Sequence, residues 1–366
     1  MKVRRSIALV LLAAVLGALG AVVACGGGGF DPQSRVDSLR LFVVRADKPY
    51  AKPGETVTLE ALIGDGRKVK DRAPKNFWIP IACVNPREDL YYLCFAPPGD
   101  GGRQAGATRL VPLGPLAAIA GDGGVEAGAS GGGANPFASI PTDVDLSPFL
   151  PEGPTFSFPM PDDAIQPREG ASAPYGLVIV FNVLCAGQVR FVARDLEGGA
   201  QQVPVACTDD EGNKLPPSEY VVGISRVYSY AERLNANPVI EKVLLEQQEI
   251  DPAVGVVVER CTDGTREREC KENKIDLRMA ESSWEENPGD VTREGPLREQ
   301  IWVTYYSDIG TFAQDARLLF DTRKGRVADS DVSFRAPRAP ASGTLWAVVH
   351  DNRGGAAWVV VPIHVR

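Results

Sequence analysis

The sequence predicts an all-β protein made of two β-sandwich domains in tandem. Short runs rich in Val, Ile, Tyr and Phe alternate with turn residues along most of the chain, which is typical of sandwich strands. Residues 25–366, which follow a predicted leader, suit about two domains in length. Hydrophobic residues make up 44% of the chain, so we expect it to bury sizeable cores. Several strand-like segments recur in the same order, which favours two similar domains.

The N-terminal segment predicts export. Three cations in residues 2–5 precede an apolar run over residues 7–23, which is the pattern of a secretory signal. Residues 22–25, Val-Val-Ala-Cys, resemble the lipobox of bacterial lipoproteins. The resemblance implies that the Cys25 thiol receives a diacylglycerol and that residues 1–24 are removed as a signal peptide. A plain cleaved signal and an uncleaved anchor remain alternatives, because the apolar run approaches the shortest length that spans a bilayer.

Lipidation of Cys25 predicts permanent attachment to a bacterial membrane, since several acyl chains together hold a protein that one chain binds only reversibly. Gly26 follows the cysteine, where lipoproteins retained in the inner membrane usually carry Asp. The expected location is therefore the outer membrane, at its periplasmic or surface face. Residues 25–35 begin with four glycines after the cysteine and predict a flexible stalk.

The charge of the chain excludes one class of partner. Removing residues 1–24 takes away three cations and lowers the formal net charge from −8 to −11. Binding of a phosphate backbone needs clustered Lys and Arg, and the sequence shows no basic stripe. We therefore predict no nucleic-acid partner.

The cysteines indicate an oxidising compartment. Seven are present, and lipidation of Cys25 leaves six, an even number that is typical of disulfides in an exported protein. They fall into three couples that are close in sequence: Cys83 with Cys94, Cys185 with Cys207, and Cys261 with Cys270. Zinc binding would need tighter Cys or His spacing, and the two histidines lie far from every cysteine. We predict three disulfides, no metal and no cofactor.

The first predicted domain covers residues 36–236. Residues 77–86 and 90–95 form β-type runs that we interpret as a hairpin cross-linked by Cys83 and Cys94. Residues 175–185 are strongly apolar and predict a central buried strand. Residues 97–154 are rich in Gly, Ala and Pro and predict a mostly disordered insertion. The acids of residues 142–147 lack the ligand spacing of a calcium loop, which favours a solvated loop.

The second predicted domain covers residues 237–366, after Asn and Pro residues at 235–238 that mark a boundary. Eight short β-type runs follow, and their spacing suits another sandwich. Residues 239–250 could alternatively form a helix because they contain Glu, Leu and Gln. Their β-branched start and the flanking prolines favour a strand.

A weak internal repeat relates the two domains. Residues 156–161 and the apolar run after them parallel residues 332–337 and the run after those, while residues 77–84 parallel residues 301–308. Both blocks resemble immunoglobulin-like β-sandwiches, with Trp78 and Trp302 as candidate core aromatics on equivalent strands. The folded region is also similar to predicted lipoproteins of myxobacteria that carry tandem domains of this kind. That resemblance implies fold and location and transfers no catalytic residue.

Catalytic candidates are few. His350 precedes Asp351, but adjacent residues of a strand point to opposite faces, so this acid is badly placed to orient the imidazole. His364 also lies in a β-type run and is interpreted as structural. Neighbouring acids such as Asp162 with Asp163, or Glu285 with Glu286, are interpreted as solvated charges. The sequence contains no nucleophile elbow and no P-loop, so we predict a protein without enzymatic activity.

Three functional hypotheses follow. The first is an envelope lipoprotein with a binding or structural role, whose partners are the membrane and an envelope protein or polysaccharide. The second is recognition or adhesion of surface polysaccharide through exposed loops or a sandwich face, and the loop between Cys261 and Cys270 is one candidate. The third is a carboxylate-based hydrolase with two facing acids in an interdomain pocket.

Overall fold

The computed structural model describes residues 32–95, 108–113, 144–192, 203–262, 264, 269–292 and 295–366. Cys25, the leader and most of the predicted stalk lie outside this range, as do large parts of the predicted insertion. Residues Ser34–Arg366 form one compact unit. Within the described ranges the regular structure consists of strands and short 3-10 turns, and no helix is long and apolar enough to cross a membrane. The protein is all-β, as the sequence predicts.

The described residues of the first half form ten strands: β1 (Leu39–Ala46), β2 (Tyr50–Ala51), β3 (Thr56–Asp65), β4 (Lys75–Val84), β5 (Arg109–Pro112), β6 (Thr155–Pro159), β7 (Gly176–Cys185), β8 (Gln188–Phe191), β9 (Val205–Thr208) and β10 (Tyr220–Ser229). One sheet has the order β1-β3-β6 and the other β2-β10-β7-β4-β5. Their inner faces meet in a core that includes Val57, Phe158 and Val180. This is the first sandwich.

In the second half, the part of the chain that the structure describes forms thirteen strands: β11 (Ile240–Leu245), β12 (Gln248–Ile250), β13 (Val256–Val258), β14 (Glu272–Met279), β15 (Glu286–Thr292), β16 (Gly295–Arg298), β17 (Ile301–Ser307), β18 (Thr311–Phe312), β19 (Ala316–Asp321), β20 (Gly325–Arg326), β21 (Val332–Arg335), β22 (Ala341–Asp351) and β23 (Ala356–Val365). The two large sheets have the orders β12-β11-β14-β21-β18 and β13-β23-β22-β17-β19-β20. They enclose a second core that includes Ile301, Val303 and Phe334.

Both sandwiches share one strand arrangement. In the first, short β2 runs parallel to the last strand, β10, and in the second, short β13 runs parallel to the last strand, β23. The order β10-β7-β4 in one sheet corresponds to β23-β22-β17 in the other. The segments that the internal repeat pairs, β4 with β17, β6 with β21 and β7 with β22, therefore occupy equivalent positions. The structure is that of tandem immunoglobulin-like sandwiches.

Strand β7 is buried along its whole length, as its apolar sequence predicts. One face, with Val178 and Val180, packs on the β1-β3-β6 sheet. The other face, with Ile179 and Phe181, lies under the hairpin of β8 and β9 and under Phe95. Because both faces are covered, the strand is apolar at nearly every position and does not alternate.

The partner of β4 differs from the predicted one. Residues Tyr91–Phe95 form a 3-10 turn. The end of β4 pairs with β7 on one side and, on the other, with β5, which lies inside the predicted insertion. Asn85, Glu88 and Asp89 all have positive φ, so the chain turns away from the sheet directly after β4. Residues 108–113 and 144–154 are thus ordered, which corrects the predicted extent of the disordered segment. The other residues of that segment lie outside the described range.

Residues 240–250 form a hairpin, β11 with β12, which excludes the alternative helix. Glu246 and Gln247 occupy the turn with φ of 50° and 64°, the left-handed values that a tight hairpin turn of this hand requires. The apolar Val243 faces the core, while Lys242 and Glu249 pair on the surface at 2.7 Å.

The core aromatic of the second sandwich is Tyr305, which corrects the prediction of Trp302. Trp78 of β4 is fully buried, as predicted, and its indole N–H donates to the carbonyl of Gly153 at 3.0 Å. On β17 the inward positions are odd-numbered, so Tyr305 points into the core and Trp302 points outward, where it stacks on His350 with centroids 5.5 Å apart. A one-residue offset between equivalent strands exchanges the two faces.

The two sandwiches are in contact through the outer faces of two sheets. Phe42 of β1 packs on Tyr306 and Trp346 of the second sandwich, with ring centroids 4.7 and 5.0 Å away. Leu62 and Val348 complete a small apolar cluster between them. Residues 230–239 connect the last strand of the first sandwich to the first strand of the second.

Candidate functional site

Three disulfides join the pairs that are close in sequence. Cys83–Cys94, Cys185–Cys207 and Cys261–Cys270 have Cα separations of 5.8, 5.8 and 5.1 Å. The first ties the 3-10 turn to β4 and the second ties β9 to the end of β7, so both hold covering segments on the outer face of the first sandwich. Buried disulfides of this kind are typical of proteins that fold outside the cytoplasm.

The two histidines do not form a catalytic pair. His350 stacks on Trp302, and burial lowers its pKa. The neighbouring Asp351 points to the other face, where it accepts hydrogen bonds from the backbone N–H groups of Arg353 and Gly355 at 2.7 and 2.8 Å. His364 lies on the surface 3.0 Å from the hydroxyl of Ser342.

A buried polar cluster, which we call the junction cluster, lies where the two sandwiches are connected. It consists of Asn235, Glu285, Glu299, Asp351 and Arg353. The guanidinium of Arg353 donates through Nε to Glu299 and through Nη2 to Asn235 at 2.6 Å and to Glu285 at 2.5 Å. Asn235 in turn donates to Asp351 at 3.3 Å. One cation therefore holds two carboxylates and the connecting segment together.

The surroundings in the junction cluster favour the protonated form of its most buried acid, Glu299. Two carboxyl groups share one guanidinium, a third carboxyl group, that of Asp351, lies close by, and Glu299 is only 1% exposed. Burial, together with the nearby charge of Asp351, raises the pKa of Glu299 from 4.5 to about 7. Glu285, which the sequence suggests is a solvated charge, is instead half-buried and ion-paired with Arg353, which corrects that interpretation.

The junction cluster contains the kind of acid pair that a carboxylate hydrolase needs, but not its access. Glu299 and Asp351 are 1% and 3% exposed, and Arg353 occupies the space beside both. A hydrolase of that class places its two carboxyls on either side of a cleft that admits the substrate. The geometry of this cluster is that of a connector between domains.

A second cluster consists of four half-buried tyrosines, Tyr50, Tyr175, Tyr228 and Tyr230, which we call the tyrosine cluster. The ring centroids of Tyr50 and Tyr230 lie 4.7 Å apart, and the ring centroid of Tyr175 lies 5.9 Å from those of both Tyr228 and Tyr230. The rings come from β2, the end of β10 and the residue before β7, which the sheet order brings to one end of the first sandwich.

Arginines surround the tyrosine cluster. Arg168 lies 4.7 Å from the Tyr175 ring centre, Arg233 lies 5.3 Å from that of Tyr230, and Arg353 lies 5.6 Å from that of Tyr50. The Tyr175 hydroxyl donates to Asp89 at 2.5 Å, and burial with this bond raises the Tyr175 pKa to about 12. Burial raises the pKa of the other three hydroxyls as well. All four rings therefore stay neutral at physiological pH.

The tyrosine cluster is not apparent from the sequence. Its only local signal is the spacing of Tyr228 and Tyr230, two residues apart on one strand and thus on one face. Tyr50 and Tyr175 are distant in sequence and join them only through strand pairing. Of the predicted recognition loop between Cys261 and Cys270, most residues lie outside the described range. In the part of the chain that the structure describes, no group of three His, Cys, Asp or Glu side chains could hold a metal ion.

Comparisons with known proteins give distant structural likenesses. No protein-family model matches the sequence, and no curated protein matches it significantly. The chain is similar to the native conformation of Escherichia coli alpha-2-macroglobulin, with a TM-score of 0.20 and 11% identity over 92% of this chain and 17% of that one. It is also similar to extracellular domains 3–5 of Drosophila OTK, with a TM-score of 0.17 and 10% identity over 92% of this chain and 98% of that one. The chain thus spans about a sixth of the macroglobulin.

Proposed function

We propose that this protein is a non-catalytic lipoprotein of the bacterial envelope, anchored to the outer membrane through Cys25 and presenting two joined sandwiches to an envelope partner. The observation that supports it most is the set of three disulfides, since Cys185 and Cys207 are both fully buried in a core that would form in an oxidising compartment. The remaining cysteine, Cys25, is the residue that the lipobox resemblance assigns to the acyl chains.

Mass spectrometry of the protein extracted from membranes with detergent tests the anchor. The expected N-terminal peptide begins at Cys25 and carries a diacylglycerol. The variant Cys25→Ser should be released by an alkaline wash that leaves the wild-type protein in the membrane pellet. An unmodified Cys25 in the membrane-extracted protein, or retention of Cys25→Ser after that wash, contradicts the proposal.

The tyrosine cluster favours a second candidate function, the binding of a polysaccharide. Aromatic rings present large apolar faces with a polar hydroxyl, and such faces suit the C–H surfaces of sugar rings. Arg168 and Arg233 lie over the faces of Tyr175 and Tyr230, and their positive charge would favour an acidic polysaccharide. Tyr50 and Tyr228 supply hydroxyls for hydrogen bonds to the sugar.

Electrophoresis in gels containing an acidic polysaccharide, alginate for example, tests this candidate. The expected result is retardation of the wild-type protein that is lost in the double variant Tyr228→Ala/Tyr230→Ala and retained in Tyr92→Ala. Tyr92 is a matched control because it contacts Tyr91 and lies outside the cluster. Equal retardation of the double variant and the control would assign the binding to another surface.

A further inference from the structure

A surface cleft of about 500 Å³ opens in the second sandwich between the β11–β12 hairpin and strand β23. Its floor includes Trp358 and Val359 of β23, and its apolar wall includes Ile240 and Ile250 of the hairpin. The cleft lies along a stretch of β23 that, among the described strands, has a neighbour on one side only. On the open side, β13 pairs with β23 only at residues 363–365.

The hydrogen bonds just after the end of β23 show which of its residues point their backbone N–H and C=O groups toward the open side. The N–H of Arg366 donates to Val258 at 3.1 Å and its carbonyl accepts from Arg260 at 2.8 Å, so even-numbered residues point their backbone groups toward β13. The orientation alternates along a strand, and Val360 and Trp358 therefore point their N–H and C=O groups to the same edge. Among the described residues, no backbone or side-chain group bonds to them there.

Both ends of this open edge are closed. At one end, the N–H of Ala356 donates to the side-chain oxygen of Asn237 at 2.9 Å. At the other end stands Pro362, which has no N–H, and Gly255 crosses it with φ of 80°. A Cβ at Gly255 would lie 2.4 Å from the Pro362 carbonyl oxygen. The open edge is thus a slot of two donors and two acceptors with defined ends.

Charged side chains and an aromatic ring line the cleft. Three carboxylates, those of Glu241, Glu249 and Asp251, line the cleft with one ammonium, that of Lys242. Arg45 of the first sandwich stacks on Trp358 at 4.2 Å and is held by Glu60 at 2.5 Å, so the indole is fixed in place. The slot therefore offers main-chain hydrogen bonds, and the cleft beside it offers an apolar floor and a negatively charged rim.

We propose that this cleft binds an extended peptide segment of a partner protein, with alternating apolar and basic residues, as an added strand on β23. An unpaired strand edge recruits an extended peptide through main-chain bonds, while side-chain pockets give specificity. The free groups of Trp358 and Val360 supply the bonds, and the acidic rim selects Lys or Arg. The inference rests on and deepens the binding role proposed above, and it involves none of the residues of the tyrosine cluster.

Fluorescence anisotropy with a labelled, acetylated hexapeptide of alternating Lys and Val tests the proposal on the detergent-purified full chain. We expect saturable binding, and hydrogen exchange should show protection of the Trp358 and Val360 amides. A peptide N-methylated on alternate amides should bind at least about tenfold more weakly, because each lost main-chain bond removes about 1 kcal/mol. A Glu-Val peptide of the same length should bind more weakly still, since the rim is acidic.

The variant Val360→Pro removes one donor from the slot and should weaken binding about fivefold, whereas Val360→Thr keeps the donor and should not. The N-methylated peptide keeps the test decisive if the proline variant fails to fold. Equal binding of the methylated and unmethylated peptides, protection confined to other amides, or absence of binding by the Lys-Val peptide overturns the proposal. None of these outcomes bears on lipidation or on polysaccharide binding, so the proposals can fail separately.

Discussion

The guanidinium of Arg353 donates a hydrogen bond of 2.6 Å to the side-chain oxygen of Asn235. Arg353 belongs to the loop between the last two strands of the second sandwich, and Asn235 belongs to the segment that connects the sandwiches. The same guanidinium binds Glu299 and Glu285. This one side chain therefore fixes the connecting segment to the second sandwich and neutralises a buried acid.

Substitution of Arg353 should destabilise the protein strongly. In Arg353→Ala, Glu299 keeps its buried position but loses its cation, and removal of one partner of a buried pair costs about 3–5 kcal/mol. Urea denaturation measures this loss. Arg366→Ala is the control, because its ion pair with Glu259 at 2.8 Å is exposed and such pairs contribute about 1 kcal/mol or less. Equal stability of the two variants would contradict the role of Arg353.

The stability of the protein should depend on pH through Glu299. Its pKa is about 7 in the folded protein and 4.5 as an ordinary glutamate, so the folded state holds the proton more tightly. The stabilising contribution is present in full below pH 4.5 and is lost as the pH rises through 7. Denaturation across this range should show a decline in wild-type stability that Glu299→Gln lacks. The lowered pKa of His350 makes stability rise with pH, which is the opposite direction. This effect is the same in the wild-type protein and in Glu299→Gln, so it cancels when the two are compared. Parallel pH profiles would show that Glu299 does not titrate in this way.

The disulfides should differ in their contribution to stability. The loop between Cys185 and Cys207 has a sequence separation of 22, and the loop between Cys261 and Cys270 one of 9. Loop-closure entropy assigns about 3.4 and about 2.6 kcal/mol to them. Compared with Cys261→Ala/Cys270→Ala, the double variant Cys185→Ala/Cys207→Ala should lose more stability than the difference between these two values, because the freed segment also uncovers the outer face of β7. Thermal denaturation of the two double variants compares them directly, and an equal or smaller loss for Cys185→Ala/Cys207→Ala would argue against the covering role.

The contact between the sandwiches should depend on Phe42. Phe42→Ala removes a ring that packs on Tyr306 and Trp346, and we expect a loss of about 2 kcal/mol together with a larger radius of gyration in small-angle X-ray scattering. Phe149→Ala is a suitable control because Phe149 is 54% exposed. An unchanged radius with Phe42→Ala would mean that the remaining contacts, such as that of Arg45 with Trp358, suffice to hold the sandwiches together.

Much of the fold can be predicted from the sequence because its signals are local. The β-branched runs and turn residues indicate the strands, and the short cysteine spacings indicate the three disulfides. The repeat places β4 and β17 on equivalent strands, but it does not give the register of each strand toward the core. For that reason the sequence favours Trp302, while the core residue is Tyr305.

The candidate sites are a different matter, since they depend on contacts between distant residues. The repeat of strand-like segments and the lipobox-like Cys25 are written in consecutive residues, and the sequence by itself determined the all-β class and the predicted route of export. Only the tertiary structure decided that β5 pairs with β4, that four tyrosines meet, that Arg353 holds Asn235, and that Trp358 and Val360 keep an open edge. Strand pairing brings together residues that are tens to hundreds of positions apart, and local propensity contains no information about which strands pair.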